Sequence, residues 1–598
     1  MKEKLDHFFT SRIEEEKLAV KNLVDKSRLM AASRIVLFLT IGFGIILFAN
    51  NNQPNALLGT LIFGLLAFFA LMIRHSKIKF NLALAKSRLT VNEQELKRLH
   101  LKINDLESGE EFYDLFHPYH EDLDVYGKHS LFQLINRTTT EHGKRTLAGW
   151  LNAPASNDTI IKRQLSQNEL KDKVDLRQNF QAFGLIFNEE NSPKDLLNWL
   201  SDSKHPKAQL HLKIALALLP LATLTAIGLS IAGIIPHQIP ILTCFVNAGF
   251  LLSVYKKLEQ ITKKTESGYK SLKVLKHHIE LIEDERFESE QLTTIQNKLR
   301  TKTSKASKFI NQLHSILDNL QNRANLMYVI FDVILLLDVY WYLRIQNWRS
   351  KNNVDLSVWF ESIGEFEAIS SIAGFSHLNP DYTLPKLTET PFDIEAEALG
   401  HPLIKAGARV SNDFKFTGKG GVCLITGSNM SGKTTFLRTV GVNCVLGLMG
   451  APVCAKEMTL GQLNVFTSMR SKDDLEENVS SFYAELKRLK QLLGYIDGKY
   501  PILYMIDEVL KGTNSDDRHK GATALIKQLN SAYAFGFVST HDIELGNITN
   551  QLNHVKNYSF NSIIEGDEII FDYKLTEGIC KSFNATKLMQ NMGIQIPD

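Results

Sequence analysis

Gly427 to Thr435 reads GSNMSGKTT, and its first eight residues fit G-x-x-x-x-G-K-[ST], the spacing of a phosphate-binding loop. Gly427 and Gly432 allow the tight turn that points backbone N–H groups at phosphate oxygens. Ser428, Asn429, Met430 and Ser431 lie between them. Lys433 brings a cation to the β- and γ-phosphates, the Thr434 hydroxyl can ligate Mg²⁺, and Thr435 completes the segment. Roughly 75 residues on, Pro501 to Glu508 reads PILYMIDE, an apolar run that ends in two carboxylates. Asp507 is suited to hold the metal through water, and Glu508 to orient and deprotonate an attacking water. KGTNSDD (Lys511 to Asp517) is a polar turn just beyond the acids. AFGFVSTH (Ala534 to His541) ends in a histidine placed to sense or polarise a γ-phosphate. The chemistry these residues imply is hydrolysis of a nucleoside triphosphate with Mg²⁺.

Such groups need rigid supports. VCLIT (Val422 to Thr426) reads as a buried strand feeding the loop, and TFLRTVGVNCVLGLMG after it as a helix whose N-terminal dipole favours anions. The apolar runs before Asp507 and His541 read as further buried parallel strands.

Gly427–Thr435, DEVLKGTNSDD from Asp507 and STH ending at His541 resemble the ATPase domain of the MutS family, within the ABC class of ATPases. GAPVCA from Gly450, SSFYAEL from Ser480, and Tyr573 to Gly578 with Ser582 and Phe583 are similar to that family's flanking segments. The resemblance makes ATP the expected nucleotide and implies two ATPase domains face to face. The signature serine, Ser480, then completes the partner's site in trans, so a homodimer is expected. Where the family usually has arginine in an F-T-R run, this chain has Ser468. Upstream, Ser130 to Pro154 resembles the opening of the family's helical core. Asp355 to Pro385 resembles its last helix, and His401–Pro402 the start of the ATPase domain. The expected fold is an α/β ABC-type P-loop domain over residues 391–598 and a mostly α-helical MutS-type core over 111–390. An N-terminal helical region over 1–110 precedes them. The mismatch-reading N-terminal domain of the family is not recognisable. GEEFYDLF (Gly109 to Phe116) superficially resembles its Phe-x-Glu wedge, but only about 15 residues separate it from the core opening, too few for a domain of at least ~50. Phe112 is expected to pack at the core entrance.

Four uncharged apolar runs interrupt this plan: 35–49, 56–73, 214–235 and 239–255. A membrane span takes about 20 such residues. Each pair flanks a short turn containing proline, NNQPN in one case and PHQ in the other, and reads as a transmembrane hairpin. Arg28, Arg34, Arg74, Lys77 and Lys79 flank the first hairpin, and Lys207, Lys213, Lys256 and Lys257 the second. Neither turn carries Lys or Arg. Positive-inside bias then places the flanks and the ATP site in the cytoplasm of a multi-pass protein of the cell (inner or plasma) membrane. A third stretch, Leu326 to Leu343, contains Asp332 and Asp338 and is read as a buried core helix, because acids are costly in a span.

Bulk properties add bounds. The 598 residues allow several domains, and a net charge of +3 neither demands nor excludes nucleic acid. Cys244, Cys423, Cys444, Cys454 and Cys580 include no C-x-x-C pair, so no zinc site is indicated. Residues 11–29 and 76–107 read as long charged helices. The Lys-rich stretch 256–308 reads as a solvated helix face that can also meet phosphates or anionic headgroups. The function expected is a membrane-anchored ATPase with DNA, mismatched or branched, as the ligand the resemblance implies. The alternative is a membrane scaffold or mechanical ATPase acting on protein or lipid without DNA.

Overall fold

The computed structural model describes residues 2–51, 53–187, 194–201, 210–300, 305–321, 323, 326–351, 356–470, 481–496, 500–565 and 568–580. Two long helices come first, α1 (Lys2–Asn50) and α2 (Pro54–Leu99). They run antiparallel. Gly44 meets Thr60 and Gly64 meets Ile41 near the tip, while His75 hydrogen-bonds Ser27 and Arg34 lower down. A Cβ on Gly64 would stand 2.7 Å from the Ile41 side chain, so the glycine permits the close approach. The apolar runs 35–49 and 56–73 are therefore segments of unbroken helices that also contain 11–29 and 76–99. The helix expected over 76–107 ends earlier, at Leu99, where Leu101 turns the chain at φ +53°.

The helical core comes next as α3 (Leu131–Ile135), α4 (Glu141–Asn152), α5 (Asn157–Lys171), α6 (Val174–Phe187) and α7 (Lys194–Ser201). It continues through α8 (Leu210–Ile231), α9 (Gln238–Asp284), α10 (Glu290–Lys298) and α11 (Ala306–Gln321). Then α12 (Leu326–Leu335), α13 (Leu337–Lys351) and α14 (Leu356–Leu378) complete it. Ser130, Thr140 and Ser156 cap α3, α4 and α5 through their hydroxyls, each satisfying an N–H the helix start leaves open. Glu367 of α14 accepts from Thr139 N at 2.9 Å and Oγ1 at 2.6 Å, and from Thr140 N at 3.2 Å and Oγ1 at 2.5 Å, inside the core. The threonine run of the core opening is thus a ligand set for one buried carboxylate. The base of α2 is fixed to the core by a buried ion cluster in which Glu95 pairs with Arg98 at 3.0 Å and Arg137 at 2.8 Å. Phe112 packs against Tyr126 and Phe132, with ring centroids at 6.2 and 6.0 Å.

Two expectations are corrected here. The run 214–235 is helical only to Ile231. Gly233 at φ +75° and a 2.7 Å Ser230–His237 hydrogen bond make 232–237 a turn. The stretch 326–343 is not one buried helix. It breaks at Leu336, φ +56°, and α12 leaves Val329, Ile330 and Phe331 exposed, whereas α13 buries Val339 and Tyr342. Among the described residues, four helices, α1, α2, α8 and the first part of α9, are long and apolar enough to cross a membrane.

The C-terminal region is α/β. Strands β1 (Lys386–Thr388), β2 (Asp393–Leu399), β3 (Asn412–Thr417) and β4 (Val422–Gly427) lead to α15 (Lys433–Met449). Then come β5 (Glu457–Gly461), β6 (Asn464–Ser468), α16 (Ser481–Ile496), β7 (Ile502–Asp507), α17 (Ser515–Ser531), β8 (Ala534–Thr540), β9 (Val555–Glu565) and β10 (Glu568–Glu577). A four-stranded sheet has the order β1-β5-β2-β3, and a six-stranded sheet β10-β9-β4-β8-β7-β6. In the larger sheet only β10 runs antiparallel to its neighbour. Parallel neighbours end on the same edge, so β4, β8 and β7 deliver the phosphate loop, His541 and the acid pair side by side. One hydrophobic cluster joins Leu147, Ile372 and Phe375 of the helical core to Phe436, Val440 and Phe537 of this region.

Candidate functional site

The site is built at that common edge. β4 is buried along its whole length, and the chain leaves it at Gly427. A Cβ on Gly427 would stand 2.9 Å from the Phe560 carbonyl, so only glycine fits between β4 and β9. Met430 (φ +65°) and Gly432 (φ +106°) complete the turn. Asn429 and Met430 are exposed at its rim, and Thr434 and Thr435 are exposed on the first turn of α15. Lys433, 7% exposed, donates from Nζ to the carbonyls of Gly427 and Ser428, each at 2.9 Å. Its pKa is lowered by burial, against the pull of Asp507 and Glu508. The hydroxyls of Ser428 and Ser431 are buried without a partner among the described residues. Buried hydroxyls in that position suit a loop made to receive further acceptor groups such as phosphate oxygens.

The acids meet the loop as the motif spacing requires. Thr434 Oγ1 donates to Asp507 Oδ2 at 2.5 Å, so the two metal-ligand candidates already converge. Glu508 sits at φ +59° and its carboxylate pairs with Lys511 at 2.7 Å, while His541 Nε2 stands 3.7 Å from its other oxygen. The pKa of His541 is depressed, first by burial and then by the Lys433 ammonium. These groups line one cleft of about 700 Å³, together with His401, Val410 and Tyr573. Lys433, Thr434, Asp507, Glu508 and His541 are therefore gathered in one place. Ser480 lies outside the described residues.

Three residues belong to this site whose roles the motifs that contain them do not announce. Ser539 on β8 hydrogen-bonds the Asp507 carboxylate and accepts from Glu508 N at 3.2 Å, tying both acids to the neighbouring strand. Glu485 of α16 receives Leu510 N and, at 3.1 Å, Lys511 N, and so holds the strained turn after Glu508, where Leu510 has φ +58°. Burial raises its pKa. Its signal is present in the sequence as the acid of SSFYAEL. Tyr573 leans on the loop, within 3.0 Å of where a Cβ on Gly432 would be. A β-bulge between Phe571 and Leu575 aims it there, which no local pattern shows. The arginine nearest Ser468 is Arg470. It pairs not with the cleft but with Asp124 of the core, at 2.8 Å, alongside Arg438 of α15 at 2.9 Å.

A phosphate loop between a buried strand and a helix, beside an acid pair on a parallel strand, defines a P-loop nucleotide-binding domain. The family model for MutS domain V matches residues 423–595. The "DNA mismatch repair protein MutS" of Shouchella clausii is 31% identical over 222 residues, 36% of this chain and 25% of that protein. The protein of the same description from Methanosarcina acetivorans is 25% identical over 502 residues, 75% of this chain and 54% of that protein. "MutS protein homolog 4" of Mus musculus is 32% identical over 218 residues, 34% of this chain and 22% of that protein. This chain is similar to the MutS family: its residues 423–595 match MutS domain V, and the likeness to MutS proteins extends over about three quarters of it. It spans between about a quarter and about half of the length of these relatives.

Proposed function

We propose that this chain binds and hydrolyses ATP with Mg²⁺, as a dimer of ABC-type domains held at a membrane, and that DNA is the ligand its ATPase responds to. The observation that carries the catalytic reading is the convergence of Thr434 Oγ1 on Asp507 beside Glu508 and Lys433. Thr434 and Asp507 would hold Mg²⁺, which supplies neutralising charge on the β- and γ-phosphate oxygens. Lys433 and the loop N–H groups stabilise charge on the transferring phosphoryl group. Glu508 takes a proton from the attacking water. The new O–P bond forms on the γ-phosphorus as the bond to the β-phosphate oxygen breaks, and ADP and phosphate leave. Neutral at pH 7 with its depressed pKa, His541 can donate one hydrogen bond near Glu508 without adding charge. Ser480 of a partner copy is assigned the γ-phosphate contact, in keeping with the resemblance.

The membrane reading is supported by an apolar surface that water would not tolerate at this size. Val36, Phe38, Phe43 and Ile46 of α1, and Leu221 and Phe245 of the second hairpin, are each more than 60% exposed. DNA as ligand is supported by the descriptions of the relatives alone. A specific observation favours the mechanical alternative: α2 and α9 run without a break from their apolar ends into the helical core, so motion at one end reaches the other.

The deciding experiment is ATP hydrolysis by the detergent-solubilised chain with homoduplex, mismatched or branched DNA, with Glu508→Gln as blank. Stimulation by one DNA, absent in the variant, is the expected result. Hydrolysis that no DNA alters overturns the DNA assignment and leaves a membrane ATPase with another partner.

A further inference from the structure

Asn247 lies at the centre of the apolar run 239–255 and is fully buried. An amide donor left unpaired there would be costly in hydrocarbon; Oδ1 has no partner among the described residues, whereas Nδ2 is fully engaged. Its partners come from two neighbouring helices. Nδ2 donates to Thr223 Oγ1 of α8 at 3.1 Å and to the backbone carbonyls of Val333 and Ile334 of α12 at 2.8 and 3.4 Å. Those carbonyls belong to the last turn of α12, which has no continuing helix to satisfy them. We propose that α12 and the start of α13 form a re-entrant hairpin, which enters the lipid beside α8 and α9 and turns back at Leu336 at the depth of Asn247.

The proposal rests on the membrane reading of the second hairpin and adds a third apolar element to it. Depth comes from register. Asn247 is about 12 Å of helix rise from Tyr255, where the apolar run ends. The ten residues of α12 rise about 15 Å, half of a hydrocarbon core of about 30 Å. Arg323, beside Tyr255 at the mouth, reaches inward to an acid two residues past the turn. Arg323 pairs bidentately with Asp338, Tyr328 donates to the same carboxylate at 2.9 Å, and the Arg323 guanidinium lies 5.2 Å from the Tyr255 ring. Tyrosine and arginine at the end of a span mark an interface with water. Asp332 is turned inward, 8% exposed, and receives Asp338 N at 2.7 Å, which caps α13. The outward face of α12 is apolar: Val329, Ile330 and Phe331 are 47, 49 and 43% exposed. Lipid acyl chains are the occupant this face fits. A helix end that stops halfway is stable in lipid only if its backbone is satisfied by protein, which is what Asn247 does.

The test is spin-label depth in the full chain, reconstituted into phosphatidylcholine vesicles. Cys244→Ala removes the one half-buried native thiol; the other four are buried. Labels are placed at Ile330, at Leu221 as the membrane control, and at Lys263 as the aqueous control. Collision with dissolved oxygen against a water-soluble nickel chelate reads the depth. Expected is an Ile330 label that partitions with Leu221, away from Lys263. An Ile330 label that behaves like Lys263 while Leu221 is in lipid overturns the re-entrant hairpin and leaves the span. A nickel-accessible Leu221 label overturns both. Asn247→Leu keeps the apolar volume but removes the donor, and should shift the Ile330 label toward water. An unchanged depth overturns the anchoring role of Asn247.

Discussion

Glu367 in the helical core and Glu508 in the cleft are the same residue type in opposite states. Glu367 is fully buried, and its two oxygens are saturated by the backbone N–H and hydroxyl groups of Thr139 and Thr140. Burial alone pushes its pKa up, and those four donors pull against it. Glu508 is part-exposed, held on a left-handed backbone. It has an ammonium at 2.7 Å on one oxygen and a histidine at 3.7 Å near the other. A carboxylate whose acceptor sites are all taken by rigid donors can hold helices together but cannot take a proton from water. One left with an open oxygen contributes little to stability and can do chemistry. The two halves of the molecule divide along this line.

The sharpest way to break the contrast is Glu508→Gln. Hydrolysis should fall by about 10²–10⁴-fold, read by phosphate release, while nucleotide binding and the unfolding midpoint hold. Glu367→Ala should act the other way, costing about 3 kcal/mol in unfolding free energy by leaving four donors unpaired, with ATP turnover per folded molecule little changed. Glu485→Gln sits between the two. It weakens the grip on the turn after Glu508, and kcat should fall about tenfold with KM nearly constant. A uniform loss of folded protein instead would place Glu485 with Glu367. A graded effect is set by pH. Burial depresses His278 to about 3 and His401 to about 4, from 6.5. The unfolded chain therefore binds protons that the folded one refuses as pH falls below 6.5. Stability is fully present above that value and should decline by about 1.4 kcal/mol per pH unit per histidine down to the folded values. Denaturant melts between pH 7 and 5 check the slope, and His278→Phe should flatten it by that amount.

The cleft is legible in the sequence because its residues sit at the ends of short apolar runs. A buried parallel strand announces itself by composition, and the residues just past its C-terminal end are displayed on one edge. Lys433, Asp507 and His541 are of this kind. Glu485, Ser539 and Tyr573 are not, since their roles come from partners more than 20 residues away or from a bulge. The apolar runs are legible in place, but the helices that contain them are not. Nothing in local composition says that α1 continues through Ile35 as one rod, or that α9 carries on for 47 residues. The break at Leu336 is hidden for a different reason: leucine at φ +56° has no glycine or proline to mark it. It is held by Asp332 and Asn247 from outside the turn.

Asp124 carries a consequence of its own. One carboxylate from the helical core accepts both Arg438, five residues into the helix that opens with Lys433, and Arg470, just past the end of β6. The phosphate-facing helix and the rest of the chain thus share a single negative charge, and neither arginine can be repositioned without altering the field at the other. Whatever stance the core adopts, its effect on nucleotide affinity must be returned by the nucleotide in equal measure, because such linkage is reciprocal. Under the proposed function, a load on the long helices would then be readable as a change in the dissociation constant for ATP, which makes the molecule a gauge.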